Sequence, residues 1–379
     1  MTKDIAIIGG SAAGFFTAYL LAHQGLHVRL YEAEEAIDPS PRTLIVTSHM
    51  ANFTGSLCES AVVNEIHCFQ LFVEGRSVTI PLRRPEMVIE RSILIKELKA
   101  QAEASGAKVL TGRRFLSVAP NGRSLIFTVS ANGYAEVVEE SANVLVGADG
   151  ALSKVAQSAG WPKQSTVPLF QAIVKLPKDM PPDTTRVWFV PEDTPYFYWL
   201  IPHSPTQGVL GLIGEGERQS QRCLEDFLER KGLEPMEFQD AQVSRYTRWI
   251  PNHRKIGEAH VYLVGDAAAH VKVSTVGGTV TGFRGALGVA DAVLNGGPSR
   301  EFMALRRELD LHLLIRKALN RFRRADYARL LDMISPSTKS LFSVFTRDES
   351  LKLLLRVFLG RPRLLLLGLR ALLNGRAPS

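Results

Sequence analysis

The run Asp4-Ile-Ala-Ile-Ile-Gly-Gly-Ser-Ala-Ala-Gly-Phe-Phe-Thr-Ala-Tyr-Leu-Leu-Ala-His-Gln-Gly-Leu-His-Val-Arg-Leu-Tyr-Glu32 decides the fold. An apolar strand (Ile5 to Ile8) meets a Gly-rich turn, then a helix (about Ala12 to His23) and a second strand (His27 to Tyr31) that ends on an acid. This is a dinucleotide-binding βαβ fingerprint in its proper setting, with the acid about 20 residues beyond the turn. Gly9 permits the tight turn and Gly14 lets helix and strand pack closely. The helix start offers free N–H groups and a positive dipole end to a pyrophosphate. Gly10, Ala12 and Ala13 complete the turn, and Glu32, followed by Ala33, is expected to accept hydrogen bonds from ribose hydroxyls. Ser11 stands where the pattern has its second glycine; being small and hydroxylated, it is expected to donate to phosphate. A strand–helix turn without a ligand is the competing reading, and the flanking strand, helix and terminal acid weigh against it.

A chain of 379 residues, 45% hydrophobic and 22% charged, is long enough for two or three domains with a large core. Its three cysteines (Cys58, Cys68, Cys223) have neither metal-ligand nor disulfide-framework spacing, which favours a reducing, cytoplasmic setting. Neither a signal peptide ahead of the first core strand nor a metal site is expected. Net charge is +7, but from Arg300 to Ser379 there are 17 Lys+Arg against 7 Asp+Glu, or +10, which leaves −3 for the rest. So local a surplus argues against a nucleic-acid-binding protein. Within that segment, Leu351 to Leu359 and Leu364 to Leu373 are leucine-rich runs separated by Gly360-Arg-Pro-Arg363. Each is too short to cross a bilayer, which takes roughly 20 apolar residues. They are read either as interfacial helices giving peripheral membrane contact, or as helices packed on the catalytic domains or on a second copy.

Further along, Glu65 to Pro81 reads as a hairpin turning at Glu74-Gly75-Arg76, and Ser92 is expected to cap a helix running to Ala104. Arg114 to Ser130 and Tyr134 to Glu140 read as β runs joined at Asn132-Gly133. Val144 to Gly147 is a buried parallel strand, ending at Asp149-Gly150. Residues about 166 to 250 then change to short strands split by prolines, with one helix (about Gln219 to Lys231) and a last strand (about Ala241 to Trp249). The parallel-strand pattern returns at His260 to Asp266, so the nucleotide-binding domain is expected to be discontinuous. At the end of that strand Asp266 can hydrogen-bond a polyol, and Gly277-Gly278 let backbone approach a flat ring.

Taken together, Gly9-Gly-Ser-Ala-Ala-Gly14…Glu32, Gly147-Ala-Asp149-Gly150 and Gly265-Asp266-Ala-Ala268 resemble the FAD-dependent proteins of the p-hydroxybenzoate hydroxylase-like fold. Within that group, the stretch Gly265 to Gly278 and the element Phe197-Tyr-Trp-Leu-Ile-Pro202 are most similar to the geranylgeranyl reductase-like flavoproteins. The resemblance spans nearly the whole chain. It implies an α/β fold with a discontinuous Rossmann-like FAD-binding domain (residues 1–63, 87–165 and 251–298). A mainly antiparallel β-sheet substrate domain (64–86 and 166–250) is inserted into it, and a basic helical region (299–379) follows. It also implies that Gly9, Ser11, Gly14 and Glu32 hold the ADP half of FAD and that Arg91 contacts the cofactor. Asp149, with Gly150, would lie near the pyrophosphate, and Asp266, after Gly265, at the ribityl chain. Backbone around Val276 to Thr279 would face the flavin ring. Arg42 is either a further cofactor contact or a plain solvated arginine. Two positions depart from the family pattern: Val273 replaces its proline and Val276 a glycine, and a branched residue there restricts the backbone and crowds the ring. The cysteine that some of these reductases carry between Arg42 and Met50 is absent.

The function this implies is FAD-dependent reduction of C=C bonds in a prenyl or lipid-like substrate, with NAD(P)H or another reductant as electron donor. FAD-dependent monooxygenation of an apolar molecule is the alternative, with halogenation behind it. A non-redox flavoprotein is the third class. Alkene reduction needs a proton donor, for which His270, Lys272, Tyr198 and His203 are candidates. His270 would otherwise be an exposed loop histidine. Phe197, Trp199 and Pro202 are candidates for the substrate pocket, although period-2 alternation would send part of the Tyr196 to Trp199 run into the sheet core.

Overall fold

The structure is a computed structural model describing residues 3–122, 124–131 and 136–334. The Asn132-Gly133 turn and both leucine-rich C-terminal runs lie outside the described residues.

Strand β1 (Asp4–Ile8) leads through the Gly turn into α1 (Ala12–Ala22), β2 (His27–Tyr31) and β3 (Thr43–Val46). A short helix, α2 (Ala51–Thr54), precedes the long hairpin of β4 (Val62–Val73) and β5 (Arg76–Glu90). Glu74 and Gly75 both take positive φ (47° and 74°), as a two-residue hairpin turn of matching twist requires. Helix α3 (Arg91–Ala104) starts directly off β5, capped by Glu90, whose carboxylate accepts from Ser92 N at 3.0 Å. The expected cap, Ser92, is instead inside the helix with its hydroxyl on the same carboxylate. Next come β6 (Lys108–Leu110) and the three-stranded sheet of β7 (Arg114–Asn121), β8 (Ser124–Ala131) and β9 (Glu136–Ala142). The single run expected from Arg114 to Ser130 is therefore itself a hairpin, with Gly122 at φ 56° in its turn.

The chain continues through β10 (Val144–Gly147) and α4 (Lys154–Ser158) into the strands β11 (Ser165–Lys175), β12 (Thr184–Trp188), β13 (Tyr198–Pro202) and β14 (Gln207–Ile213). Helix α5 (Glu217–Lys231) and β15 (Pro235–Arg245) follow; β15 begins and ends earlier than the apolar pattern suggested. The last elements described are β16 (His253–Ile256), β17 (Ala259–Leu263), α6 (Thr279–Asn295), α7 (Arg300–Leu319) and α8 (Arg324–Asp332).

Six strands form one sheet in the order β16-β17-β10-β1-β2-β6, parallel except at the β16 edge. Both of its faces are covered. Ile5 and Ile7 pack against α1, α3 and α6, while Ala6 and Ile8 face the three-stranded sheet with Phe115 and Phe127. A strand buried on both sides must be continuously apolar, which is why Ile5 to Ile8 shows no alternation. Helix α1 is apolar nearly all round for the same reason: it lies between this sheet, α3 and α6, with Phe15 and Phe16 fully buried.

The second sheet has eight strands, β15-β11-β14-β13-β12-β4-β5-β3, antiparallel apart from the parallel pair β12–β4. β3 and the start of β4 belong here, although residues 1–63 were expected in the nucleotide-binding part: Thr43–Val46 pairs with Met87–Glu90 of β5. α5 covers one face of this sheet over Leu210, Leu212 and Tyr198, and the opposite face opens on a cavity.

Candidate flavin site and adjoining cavity

The C-terminal ends of β1, β2, β10 and β17 converge, and the glycine motifs sit in that crevice, where parallel α/β sheets bind ligands. Close approach explains the glycines. A Cβ on Gly9 would lie 2.6 Å from the Ala148 carbonyl oxygen, and one on Gly14 would lie 2.2 Å from that of Gly9. Gly265 packs as tightly on Ala13: a Cβ there would come within 2.9 Å of the alanine's own. Glu32 is pinned facing the turn, with Oε2 accepting from Gly10 N at 2.6 Å and Oε1 from Glu34 N at 3.0 Å.

Two expected cofactor contacts have other partners. Ser11 caps α1: its hydroxyl donates to the Ala148 carbonyl (2.9 Å) and accepts from Gly14 N (3.1 Å). The first-turn N–H groups of Ala12 and Ala13 are therefore the ones left for a phosphate. Asp149 turns inward, accepting from Ser153 Oγ (2.5 Å), Lys154 N (2.7 Å) and Val155 N (3.0 Å), so it anchors the start of α4 and not a ligand. Gly150 takes φ 82° in the same turn, and Ala33 follows Glu32 at the edge of the crevice.

Below the crevice, Asp266 is half-buried, with its Oδ1 3.3 Å from where a Gly278 Cβ would be. Burial raises its carboxyl pKa; the Ser244 contact and the Arg91 and Arg42 guanidiniums oppose that. Burial lowers the pKa of both arginines, but an arginine stays charged. A carboxylate beside two guanidiniums and a glycine helix start suits a ligand carrying both hydroxyls and phosphates. Arg42 also donates to the Asp240 carbonyl at 3.1 Å, which ties its guanidinium to β15.

The adjoining cavity, of about 390 Å³, has mostly apolar walls. Phe69, Leu71, Ile80 and Leu82 of the β4–β5 hairpin form one wall, and Phe197, Trp199 and Ile201 another. The segment Ser274 to Thr279 closes the end nearest Asp266. Val276 in that segment has φ 52°, a strained value for a branched residue, and lines the cavity. Val273 points elsewhere, into a cluster with Tyr246, Leu305 and Leu309, so it does not crowd the ring position.

Strand parity separates the aromatic residues of β13. Tyr198 lies on the opposite face from Trp199, fully buried, its ring stacked on Phe227 at 3.8 Å and its hydroxyl donating to Asp193 and to the Cys223 carbonyl. Burial and Asp193 raise its pKa, and it is not among the residues lining the cavity. Pro202 shares that parity, and Ile201 takes the wall position expected of it. His270 is not an exposed loop residue. It has no exposure, its Nε2 lies 2.6 Å from Asn252 Nδ2, and it stacks on Trp249. Burial, with Arg284 nearby, pushes its pKa down to about 3. A neutral imidazole in the core is not the flavin-side proton donor. Lys272 is buried and is not among the residues lining the cavity, although its Cε and Nζ would lie 3.5 and 3.9 Å from a Cβ on Gly277, which does line it. What the sequence reading missed is His312 and Ile315, brought to the cavity by α7 from beyond the recognisable motifs.

The crevice and cavity define a flavoprotein of the two-sheet type, with a dinucleotide cradle opening on an apolar chamber. The chain belongs to the FAD binding domain family, whose profile matches residues 2–294. It is 26% identical over 315 residues to a digeranylgeranylglycerophospholipid reductase of Methanothrix thermoacetophila, covering 78% of this chain and 80% of that one. In structure it is similar to a geranylgeranyl bacteriochlorophyll reductase-like protein of Thermoplasma acidophilum (TM-score 0.80, 20% identity, 96% of this chain and 98% of the other). A flavin-dependent brominase shares the fold more distantly (TM-score 0.67, 19% identity, 93% of each chain). FAD is the cofactor, and the protein is an FAD-dependent oxidoreductase.

Proposed function

We propose that the protein reduces C=C bonds of a prenyl or other lipid-like substrate held in the 390 Å³ cavity. The observation that carries this reading is the apolar chamber ending on Ser274 to Thr279, the segment that borders the Asp266 cradle. Gly9, Gly10, Ala12, Ala13 and Glu32 would hold the ADP half of FAD, and Arg42, Arg91, Gly265 and Asp266 its centre. Val276, Gly277 and Gly278 would border the ring. When bound and reduced, by NAD(P)H or another donor, FAD supplies the hydride. The chain's own part is to exclude water and orient the alkene. Phe197, Trp199 and the hairpin leucines supply an apolar wall that a branched hydrocarbon fills without unpaired polar atoms. Gln171, held by Gln239 at 2.7 Å, and Thr185 are buried polar groups on that wall, suited to a polar end of the substrate.

The named function of the Methanothrix relative supports a polyprenyl lipid as the first substrate to try. Such a substrate arrives from a membrane, and the +10 segment with its leucine-rich runs is proposed to rest on an anionic surface. No helix among the described residues is long and apolar enough to cross a bilayer. Anaerobic incubation of the reduced protein with a digeranylgeranyl glycerophospholipid should give products heavier by two hydrogens per double bond. Oxygenated product under air, with no anaerobic reduction, would replace this reading by the monooxygenase.

A further inference from the structure

With His270 and Tyr198 facing other parts of the core, the cavity needs another acid. Among the described residues on its wall, the titratable side chains are Arg42, Arg84, Glu86 and His312. Arginine does not give up its proton in proteins. His312, 2% exposed, lies hydrogen-bonded to Ser274, with Oγ 2.5 Å from Nδ1. Ser274 stands two residues before Val276 in the segment that closes the flavin end of the chamber, and it also lines the wall. On the other side of the ring, Nε2 is 4.0 Å from Glu308 Oε1, one helical turn back on α7. Glu308 is in turn held by Arg284 of α6, which also pairs with Glu301 at 2.5 Å. Serine and imidazole, both on the wall, are thus hydrogen-bonded to each other, with the carboxylate at ion-pair distance beyond the ring.

We propose that Ser274, His312 and Glu308 form a proton-delivery chain that serves the reducing site. The inference rests on the reductase reading above. In the step, the alkene takes hydride at one carbon and the Ser274 hydroxyl proton at the other, so the π bond breaks and two C–H bonds form. Ser274 Oγ regains a proton from Nδ1 of the His312 imidazolium. The ring is left neutral with its remaining proton on Nε2 toward Glu308, and water restores the second proton after product leaves. Charge balances, since one hydride and one proton enter and nothing departs. The carboxylate holds the imidazolium in the orientation that aims Nδ1 at serine, which makes Glu308 a positioning residue. The charged groups around His312 include Glu308 and Arg316, one helical turn to either side on its own helix, Arg284 of α6, which holds Glu308, Lys272 in the loop bearing Ser274, and Arg42, Arg84 and Glu86 on the cavity wall.

The test uses full-length protein with FAD and a polyprenyl alkene in anaerobic single turnover. S274A and H312Q should slow flavin reoxidation by the alkene at least about 100-fold, the usual share of a positioned general acid, and change the solvent isotope effect. FAD affinity, melting temperature and reduction by dithionite should stay as in wild type. Independently of turnover, ¹⁵N-histidine spectra should show the His312 titration midpoint lowered by about 1 pH unit or more in E308Q. Full activity in S274A and H312Q, or the loss falling on E86Q instead, would overturn the chain while leaving the reductase reading intact. An unmoved His312 midpoint in E308Q would remove Glu308 from it. A wild-type protein that never passes hydride to alkenes would end both proposals. Should H312Q melt early, S274A alone, which only deletes a hydroxyl, decides the matter.

Discussion

His270 shows how far burial can overrule a residue's chemistry. Its folded pKa near 3 lies below the unfolded value of about 6.5, so the unfolded chain binds the extra proton between those limits. Its contribution to stability is complete above pH 6.5 and is lost as pH falls toward 3, by about 1.4 kcal/mol per unit. Urea unfolding should therefore show roughly 2 kcal/mol less stability at pH 5 than at pH 7 from this group alone, and H270F should flatten that slope. An unchanged slope in H270F would mean that the ring reaches water. Sequence alone could not separate a core histidine from a flavin-side one, because a short loop residue between two recognisable motifs has no periodicity to place it. Ser11 and Asp149 misled in another way: both are polar residues at motif positions, and both spend their polarity on the backbone of the turn itself. What decided their roles was which nearby N–H lacked a partner, and that needs coordinates.

Glycine spacing inside the elements makes sharper demands. G14A would place a methyl 2.2 Å from the Gly9 carbonyl oxygen, a backbone atom that cannot move without opening the β1–α1 turn. Loss of FAD binding by more than about 100-fold, with destabilisation of about 3 kcal/mol or more, is expected in equilibrium dialysis and thermal melts. G211A acts on the other sheet. Its Cβ would fall 2.5 Å from the Trp199 ring, so the indole must shift in the cavity while the cofactor cradle is untouched. FAD affinity should hold and the apparent KM for substrate should change several-fold; a variant that loses FAD instead would show the two sheets to be coupled. The βαβ unit, the hairpin at Glu74 and the return to a parallel strand at His260 were legible because each has a local signature. The division of β13 followed from period-2 parity, once it was known which side the helix covers. Helix α7's part in the chamber was not legible, since nothing in its amphipathic pattern says which partner its buried side meets.

At the scale of the whole molecule, the proposed membrane contact would bring the protein to where a lipid-like substrate resides. Replacing Arg361, Arg363 and Arg370 by glutamate should weaken flotation with anionic vesicles and leave neutral-vesicle binding and FAD content unchanged. Equal flotation of the variant would sink the electrostatic part of that proposal. Binding of FAD at a hundredfold excess over Kd should raise the unfolding free energy by about 2.7 kcal/mol if the cofactor binds only the folded chain. The six-stranded sheet has a consequence for synthesis. Among the described strands β1 emerges first, but its neighbour β10 begins only at Val144 and β17, the next strand over, only at Ala259, and the Asp266 and Gly278 parts of the cradle come after that. On the ribosome, then, the most recognisable motif in the chain waits without its ligand. The β4–β5 hairpin, closed by local contacts, can form at once, whereas the flavin site is assembled only after Gly278 has emerged. Scarce cofactor in the cell would consequently be felt as a loss of finished protein, because it acts after the cradle's distant parts have met and not at the start of folding.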